Sequence, residues 1–170
     1  MSVRCKFDRE KTIEALLYTA HKTSNMYKVL KVLYFADKEH LAKYGRLICG
    51  DSYVAMRYGP VPSGAYDLVT SVRDDAACWT GLPKPDEFEV VGHEIVPKRA
   101  ANLDFLSESD IECLDAAIKK YGHLSFDALK RISHRDAAYK AADENDFIPL
   151  EAIVRTLPNS GALLDYLRGN

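Results

Sequence analysis

The segment from about Met26 to Tyr44 constrains the fold more than any other part of this chain. It carries apolar residues along one side at helical spacing, and more around much of its circumference: Val29, Val32, Leu33 and Ala36, then Met26, Leu30, Phe35 and Leu41. The segment Thr23-Ser24-Asn25 can cap such a helix and Gly45 can end it. Because a helix that is apolar on several sides is usually buried, we expect a central helix with the rest of the chain packed around it.

Shorter elements are expected on both sides of this helix. Asp8 can cap an earlier amphipathic helix with apolar residues at Ile13, Leu16, Leu17 and Ala20. After the central helix, residues 47–49 and 53–58 are typical of two short strands around a Gly50-Asp51 turn. The two prolines of residues 59–62 are expected to end the second strand, because proline cannot donate to a strand ladder. A third helix follows, with apolar residues at Ala65, Leu68, Val69 and Val72.

The second half of the chain predicts another hairpin and several helices. Residues 88–91 and 94–96 flank Gly92-His93, a pair suited to a type II′ turn. Later helices are expected to begin near Ser107, whose partner Asp110 completes a capping box, and near Ser125, Ser133 and Pro149. We therefore predict a mainly α-helical α+β fold with two small β-hairpins beside a helical core. The 170 residues fit one domain and contain no repeat or linker, so we predict a single domain over residues 1–170.

Charge and cysteine usage argue against several classes of function. Lys and Arg number 23 against 25 Asp and Glu, and the basic residues are interleaved with acidic ones, so nucleic acid is not an expected partner. The four cysteines, Cys5, Cys49, Cys78 and Cys113, have no C-x-x-C spacing that would hold zinc. The chain shows no secretory signal pattern and no apolar run long enough to span a membrane. We expect a cytoplasmic protein with free thiols, no membrane partner, no metal and no cofactor.

One polar row on the central helix is a candidate site. Tyr34, Asp37 and His40 are spaced three residues apart and can face the same way. One hypothesis is a small enzyme or ligand-binding protein that uses this cluster, with His134 approaching from elsewhere in the chain. The other interpretation is a hydrogen-bonded cluster that fixes helix packing, and we favour it because a satisfied Asp-x-x-His pair is common. A metal site would need two more ligands, and no matching pattern supplies them.

A second candidate site is the corner made by Gly59-Pro60-Val61-Pro62. Phosphate-binding glycine patterns are absent around it, so its glycines are interpreted as turn residues. A rigid corner of this kind can present aromatic anchors to another protein. The predicted contact residues are Tyr53, Arg57, Tyr58, Pro60 and Tyr66. The sequence Ser133-His134-Arg135-Asp136 lacks a nucleophile-elbow pattern, and helix capping is the expected role of Ser133.

Several of these motifs together resemble one known family. The segments that carry the resemblance are Lys31-Val-Leu-Tyr-Phe-Ala-Asp37, Gly45-Arg46, Gly50-Asp51-Ser-Tyr53-Val-Ala55, and Tyr58-Gly-Pro-Val-Pro62 with Tyr66. Leu124-Ser125, Leu129, Ser133-His134 and Tyr139 are similar to the family's C-terminal half. The chain thus resembles the Panacea domain, the SocA-like antitoxin family of phage-associated proteins, over about residues 10–145.

The resemblance implies a function as well as a fold. Members of the family neutralise unrelated toxins by direct binding, and one member also acts as an adaptor that delivers its toxin to a Clp-type protease. It therefore implies a cognate protein toxin as the partner, with a Clp-type protease as a second partner. Neither activity needs a catalytic group, so we predict that the chain is not an enzyme. The family supplies no active-site residues to transfer to this sequence.

Overall fold

The computed structural model describes residues 6–169. Within that range the chain forms eight α-helices: α1 Arg9–Ala20, α2 Met26–Tyr44, α3 Ser63–Arg73, α4 Glu108–Tyr121, α5 Phe126–His134, α6 Ala137–Ala141, α7 Leu150–Val154 and α8 Ser160–Gly169. A short 3-10 helix spans Leu103–Phe105. Helices account for 54% of the structure and strands for 12%, which confirms the predicted mainly α-helical α+β class.

Five short strands form two antiparallel sheets in the described part of the chain. They are β1 Tyr53–Met56, β2 Gly59–Pro62, β3 Phe88–Val91, β4 Glu94–Pro97 and β5 Phe147–Ile148. The three-stranded sheet has the order β2-β1-β5, with Tyr53 opposite both Pro62 and Ile148. The other sheet is the β3–β4 hairpin, whose position and turn were predicted from Gly92-His93.

The central helix α2 has the predicted bounds. The Asn25 side chain accepts hydrogen bonds from the backbone amides of Tyr27 and Lys28, which satisfies two free donors at the helix start. Gly45 ends the helix with a left-handed φ of 74°. Eleven of its 19 residues are buried, so α2 packs against neighbours on several sides as expected.

The first hairpin differs from its prediction. Residues 47–49 are not a strand; the hairpin is instead formed by β1 and β2, with Arg57 and Tyr58 as its turn. The amide of Ile48 donates to the carboxylate of Asp37 at 2.8 Å, so this segment is held by a side chain rather than by a strand ladder. The prolines of β2 are accommodated because β2 is an edge strand, where missing amide donors face no neighbouring strand.

The C-terminal half also departs from expectation at two points. Ser133 does not cap a helix; it lies inside α5, and the side chain of Asp136 caps α6 instead. Strand β5, which extends the first hairpin to three strands, was not predicted. By contrast, the capping box formed by Ser107 and Asp110 at the start of α4 is confirmed.

Buried side chains form two apolar clusters, and α2 contributes to both. The larger cluster joins α1, α3, α4 and the β3–β4 hairpin to α2 through residues such as Leu16, Val29 and Leu68. The smaller cluster joins α7, α8 and the three-stranded sheet to α2 through residues such as Tyr34 and Val154. The central helix therefore carries the packing on which the position of every site described below depends.

Candidate functional site

The turn between β1 and β2 is attached to α2 by Lys31. The Nζ atom of Lys31 donates a hydrogen bond to the carbonyl of Tyr58, and the Lys31 side chain is almost fully buried. Gly59 permits this approach, because its φ is +120° and an added Cβ would lie 2.7 Å from Nζ of Lys31 and 2.5 Å from Oγ of Ser133. The absence of a side chain at Gly59 therefore leaves the space in which the Lys31 ammonium reaches the turn.

Two further side chains hold the same turn. Nε2 of His134, at the end of α5, lies 3.1 Å from the carbonyl of Arg57. The hydroxyl of Tyr139, in α6, donates to the carbonyl of Met56 at 2.9 Å. The two rings stack on each other, with centroids 5.0 Å apart. With Lys31, three consecutive carbonyls of the turn are bound by three different helices, so the turn is fixed relative to the helical core.

A mostly apolar cavity of about 230 Å³ lies beside the turn. We call it the turn pocket, and its lining residues are Tyr27, Leu30, Lys31, Met56, Arg57, Tyr58, Val61, Tyr66 and Phe126. They come from α2, α3, α5, and the two strands with their turn, so the pocket exists only once these elements have packed. Both charged residues in the lining are cations, and no carboxylate from the described part of the chain lines it.

The rim of the turn pocket is aromatic and positively charged. Tyr58 is 41% exposed, and its ring lies 5.3 Å from the Arg57 guanidinium and 4.8 Å from the Lys130 ammonium. Phe126 packs edge-on against Tyr58 at 5.9 Å. Burial lowers the pKa of Lys31 to about 8, and the charge of Lys130 acts in the same direction. Within residues 6–169, none of these three cations forms a salt bridge.

The five predicted contact residues occupy different environments. Arg57 and Tyr58 are exposed at the turn, and Tyr66 is half-buried and lines the turn pocket. Tyr53 is 2% exposed and Pro60 is also buried, so these two offer no surface to a partner in this structure. The accessible part of the predicted surface is therefore Arg57, Tyr58 and Tyr66.

The polar row on α2 is buried. Tyr34, Asp37 and His40 are at most 5% exposed. The carboxylate of Asp37 accepts hydrogen bonds from the Ile48 amide at 2.8 Å and from the Tyr53 hydroxyl at 2.6 Å. Burial raises the pKa of Asp37 to about 7, although both hydrogen bonds oppose that shift. Asp37 thus connects α2 to the loop before β1 and to β1 itself.

His40 belongs to a separate network. Its Nδ1 lies 2.8 Å from the carbonyl of Arg46, and its Nε2 lies 2.9 Å from Oγ of Ser109. The fully buried carboxylate of Asp110 lies 3.3 Å from His40, 3.0 Å from Arg46 and 2.7 Å from Lys11. Burial lowers the pKa of His40. Burial opposes the charged form of Asp110, but hydrogen bonds from Lys11 and from the α4 cap hold the pKa of this carboxyl below its ordinary value.

The structure does not bring His134 to the polar row of Tyr34, Asp37 and His40, because His134 lies at the β1–β2 turn. Four cavities of 230 to 430 Å³ are lined by described residues, and none is lined by Tyr34, Asp37, His40 or His134. None of these four cavities therefore supplies the concave pocket that the enzyme hypothesis requires. The sequence pattern indicated Asp110 only as a capping residue. Its role in the His40 network had no local signal, because the partners lie far apart in the chain.

Other chemistries have little support in the described residues. No group of three or more His, Cys, Asp or Glu side chains there is placed to hold a metal ion. Cys49, Cys78 and Cys113 are buried free thiols, and burial raises the pKa of Cys113 to about 12. Cys5 lies outside the described residues. No helix between residues 6 and 169 combines the length and the apolar character needed to cross a membrane.

These observations define an α+β domain whose candidate site is an exposed aromatic residue on a fixed turn beside a small cationic pocket. Such anchors are typical of surfaces that contact other proteins. A family model described as antitoxin SocA-like, Panacea domain, matches residues 29–140. Because this range is well over half of the chain, the protein belongs to the SocA-like antitoxin family, which confirms the resemblance seen in the sequence. Searches of curated proteins and of solved structures gave no match.

Proposed function

We propose that this protein is an antitoxin that neutralises a cognate protein toxin by binding it directly. Membership of the SocA-like antitoxin family is the observation that carries this proposal. The matched range, residues 29–140, contains most of α2 and all of β1, β2 and α5, and with them all of the turn pocket except Tyr27. A role in binding is also consistent with the burial of the polar groups that an enzyme hypothesis would use.

The contact surface is proposed to be the β1–β2 turn together with the turn pocket. Tyr58 offers an exposed ring on a turn whose carbonyls are held by Lys31, His134 and Tyr139. Such a preordered anchor loses little conformational entropy on binding, so more of its contact energy contributes to affinity. Aromatic and Arg side chains are the types most often responsible for binding energy at protein interfaces.

Delivery of the toxin to a Clp-type protease is proposed as a second step. Its support is the resemblance to a family in which an adaptor activity is known, and binding of the toxin would be a prerequisite. The half-life of the toxin, measured in cells with and without the protease, separates the two activities. Shortening of that half-life only when both the antitoxin and the protease are present is the expected result. An unchanged half-life would leave direct neutralisation as the whole mechanism.

Co-expression with the product of the adjacent gene tests the main proposal. The neighbouring gene should arrest growth when expressed alone, and this protein should restore growth and copurify with the toxin. A harmless neighbour, or rescue without a complex, would contradict direct neutralisation of that protein.

The substitution Tyr58→Ala tests the proposed surface. It should weaken copurification and rescue, because it removes the exposed ring from the turn, and the loss of binding free energy should be about 2 kcal/mol or more. Tyr166→Ala is the matched control, since Tyr166 is 56% exposed and lies beside Gly45 at the other end of α2. Thermal unfolding of both variants checks that the fold is retained. Equal rescue by the two variants would exclude this surface.

A further inference from the structure

We propose that the turn pocket binds an apolar or aromatic side chain from a protein segment that carries carboxylates next to that side chain. This inference deepens the proposed antitoxin function, and it depends on that function only for the identity of the partner. The pocket's size, its lining and its uncompensated charge each support part of the proposal.

The size and lining of the pocket suit a single side chain. Its volume of about 230 Å³ is smaller than the roughly 300–1,000 Å³ of typical small-molecule sites. Its lining includes the apolar side chains of Leu30, Val61 and Met56, together with the rings of Tyr58 and Phe126. An inserted phenyl or isobutyl group would bury apolar surface against these side chains, whereas a polar group would lose its hydration.

The charge of the pocket selects for carboxylates. Lys31 is only 3% exposed, and the one described hydrogen bond of its ammonium goes to the Tyr58 carbonyl. An ammonium has three donors, so Lys31 retains capacity for an acceptor supplied by a ligand. Arg57 and Lys130 flank the ring of Tyr58 and are likewise without a carboxylate partner in residues 6–169. The chain as a whole has a formal charge of −2, so this local excess of cations is a property of the pocket.

A protein segment fits these features better than a nucleic acid does. Single-stranded nucleic acid is usually held by a cationic groove that follows the backbone over several nucleotides, with bases stacked on flat aromatic faces. Here Lys31 and Arg57 line one small cavity, Lys130 lies over the Tyr58 ring at its rim, and Lys31 is buried beneath the turn. That arrangement favours one apolar anchor with adjacent carboxylates, and it disfavours a segment of the opposite charge.

Peptide titration tests this inference without any toxin. The probes are Ac-Glu-Phe-Glu-NH2, Ac-Lys-Phe-Lys-NH2 and Ac-Glu-Ala-Glu-NH2, added to the ¹⁵N-labelled full chain and followed by NMR chemical shifts. The acidic phenylalanine peptide should shift the amides of Tyr58, Gly59 and Phe126 in a saturable manner. The basic peptide and the alanine peptide should each bind at least roughly tenfold more weakly, because each lacks one of the two recognised features.

Two variants and one control assign the charge selectivity to the pocket. Lys31→Met keeps the length of the side chain without its charge, and it should reduce the preference for the acidic peptide over the basic one by about tenfold. The double variant Arg57→Gln/Lys130→Gln leaves the Lys31 hydrogen bond to the turn intact. It should also reduce the preference for the acidic peptide over the basic one. Lys120→Gln is the matched control, because Lys120 also lies over a tyrosine ring, that of Tyr121, but does not line the turn pocket.

The outcomes separate this inference from the proposed function. Equal binding of acidic and basic peptides, shifts that fall outside the pocket, or tighter binding of an oligothymidylate would overturn the inference. If this protein rescues cells from the toxin but the acidic peptide does not bind, the inference fails and the antitoxin function stands. If the peptide binds as expected but no rescue is seen, the pocket's specificity stands and the antitoxin proposal fails.

Discussion

Gly59 is the residue on which the geometry of the turn depends most directly. Its φ of +120° is a conformation that side chains rarely adopt, and the space where a Cβ would lie is occupied by Lys31 and Ser133. Any substitution there must both strain the backbone and displace two neighbouring groups. The conformation of the turn, and through it the position of Tyr58, is therefore encoded by a glycine rather than by the aromatic residue beside it.

The substitution Gly59→Ala should lower the free energy of unfolding by roughly 1–3 kcal/mol, measured by urea denaturation. Adding Ser133→Ala removes the oxygen that would lie 2.5 Å from the new Cβ, and it should restore part of the loss. Gly161→Ala is a control, because nothing lies within 4 Å of a Cβ built at that position. A Gly59→Ala protein as stable as the Gly161→Ala protein would contradict the strained geometry.

A second prediction at the residue scale concerns Asp37 and the dependence of stability on pH. The pKa of Asp37 is raised from 3.8 to about 7 by burial, with the charges of Asp51 and Asp110 acting in the same direction. Between these two values the folded protein binds a proton that the unfolded chain has lost. The stability that this proton contributes is fully present below about pH 4 and is lost as the pH rises through about 7.

The substitution Asp37→Asn removes this titration but retains an acceptor for the Ile48 amide and a partner for the Tyr53 hydroxyl. The stability of the variant relative to the wild type should therefore rise between pH 4 and pH 7, by at most about 1.4 kcal/mol per pH unit. Urea denaturation at several pH values measures this difference. Asp143→Asn, at an exposed carboxylate, is the control. A difference that does not change with pH would show that Asp37 titrates normally.

At the scale of elements, Asp110 joins three helices and a loop. It caps α4 together with Ser107, and its buried carboxylate contacts Lys11 of α1, His40 of α2 and Arg46 in the loop after α2. Removing one member of a buried ionic cluster leaves the others without a partner, and this is usually more destabilising than the loss of a helix cap alone.

The substitution Asp110→Ala should cost about 3–5 kcal/mol of unfolding free energy. Asp110→Asn should cost less, because its amide oxygen can still accept the Ser107 amide at the cap. Ser125→Ala removes the side-chain cap of α5 alone and provides the scale for capping, about 1 kcal/mol. Urea denaturation measures all three variants. If Asp110→Ala cost no more than Ser125→Ala, the ion pairs would contribute nothing to stability.

Elements with local signals were predictable from the sequence, and those fixed by distant contacts were not. The bounds of α2 follow from the segment Thr23-Ser24-Asn25 and from Gly45, and the β3–β4 hairpin follows from Gly92-His93. The segment at 47–49 resembled a strand because of its apolar residues, but the Asp37 carboxylate holds its backbone from another element. Strand β5 has two residues, too few for a periodic signal.

The same distinction applies to the candidate site. Tyr58 and Tyr66 could be proposed from the aromatic residues around the Gly59-Pro60 corner. The pocket residues Lys31 and Phe126, and Lys130 at its rim, lie on helices whose packing brings them to the turn. No pattern in the local sequence distinguishes Lys31 from the neighbouring lysines of α2, and only its burial in the structure does so.

At the scale of the whole molecule, the matched family range and the packed structure have different extents. Residues 29–140 exclude α1, α7 and α8. Yet Leu16 and Leu17 of α1 are fully buried in the larger cluster, and Ile153 and Val154 of α7 are buried in the smaller one. Since α2 contributes to both clusters, loss of α1 on one side or of α7 on the other exposes part of the central helix. We therefore propose that the chain folds as one domain rather than as a core with independent additions.

A single cooperative unfolding transition is the expected consequence. In calorimetry of the full chain, the van't Hoff and calorimetric enthalpies should agree, as they do for two-state domains. A fragment of residues 29–140 should show no cooperative transition, because it lacks the α1 and α7 side chains that complete the two clusters around α2. Two resolved transitions in the full chain, or cooperative unfolding of the 29–140 fragment, would show that the clusters are independent units. In that case the turn pocket, which lies within the matched range except for Tyr27, could be studied in the fragment alone.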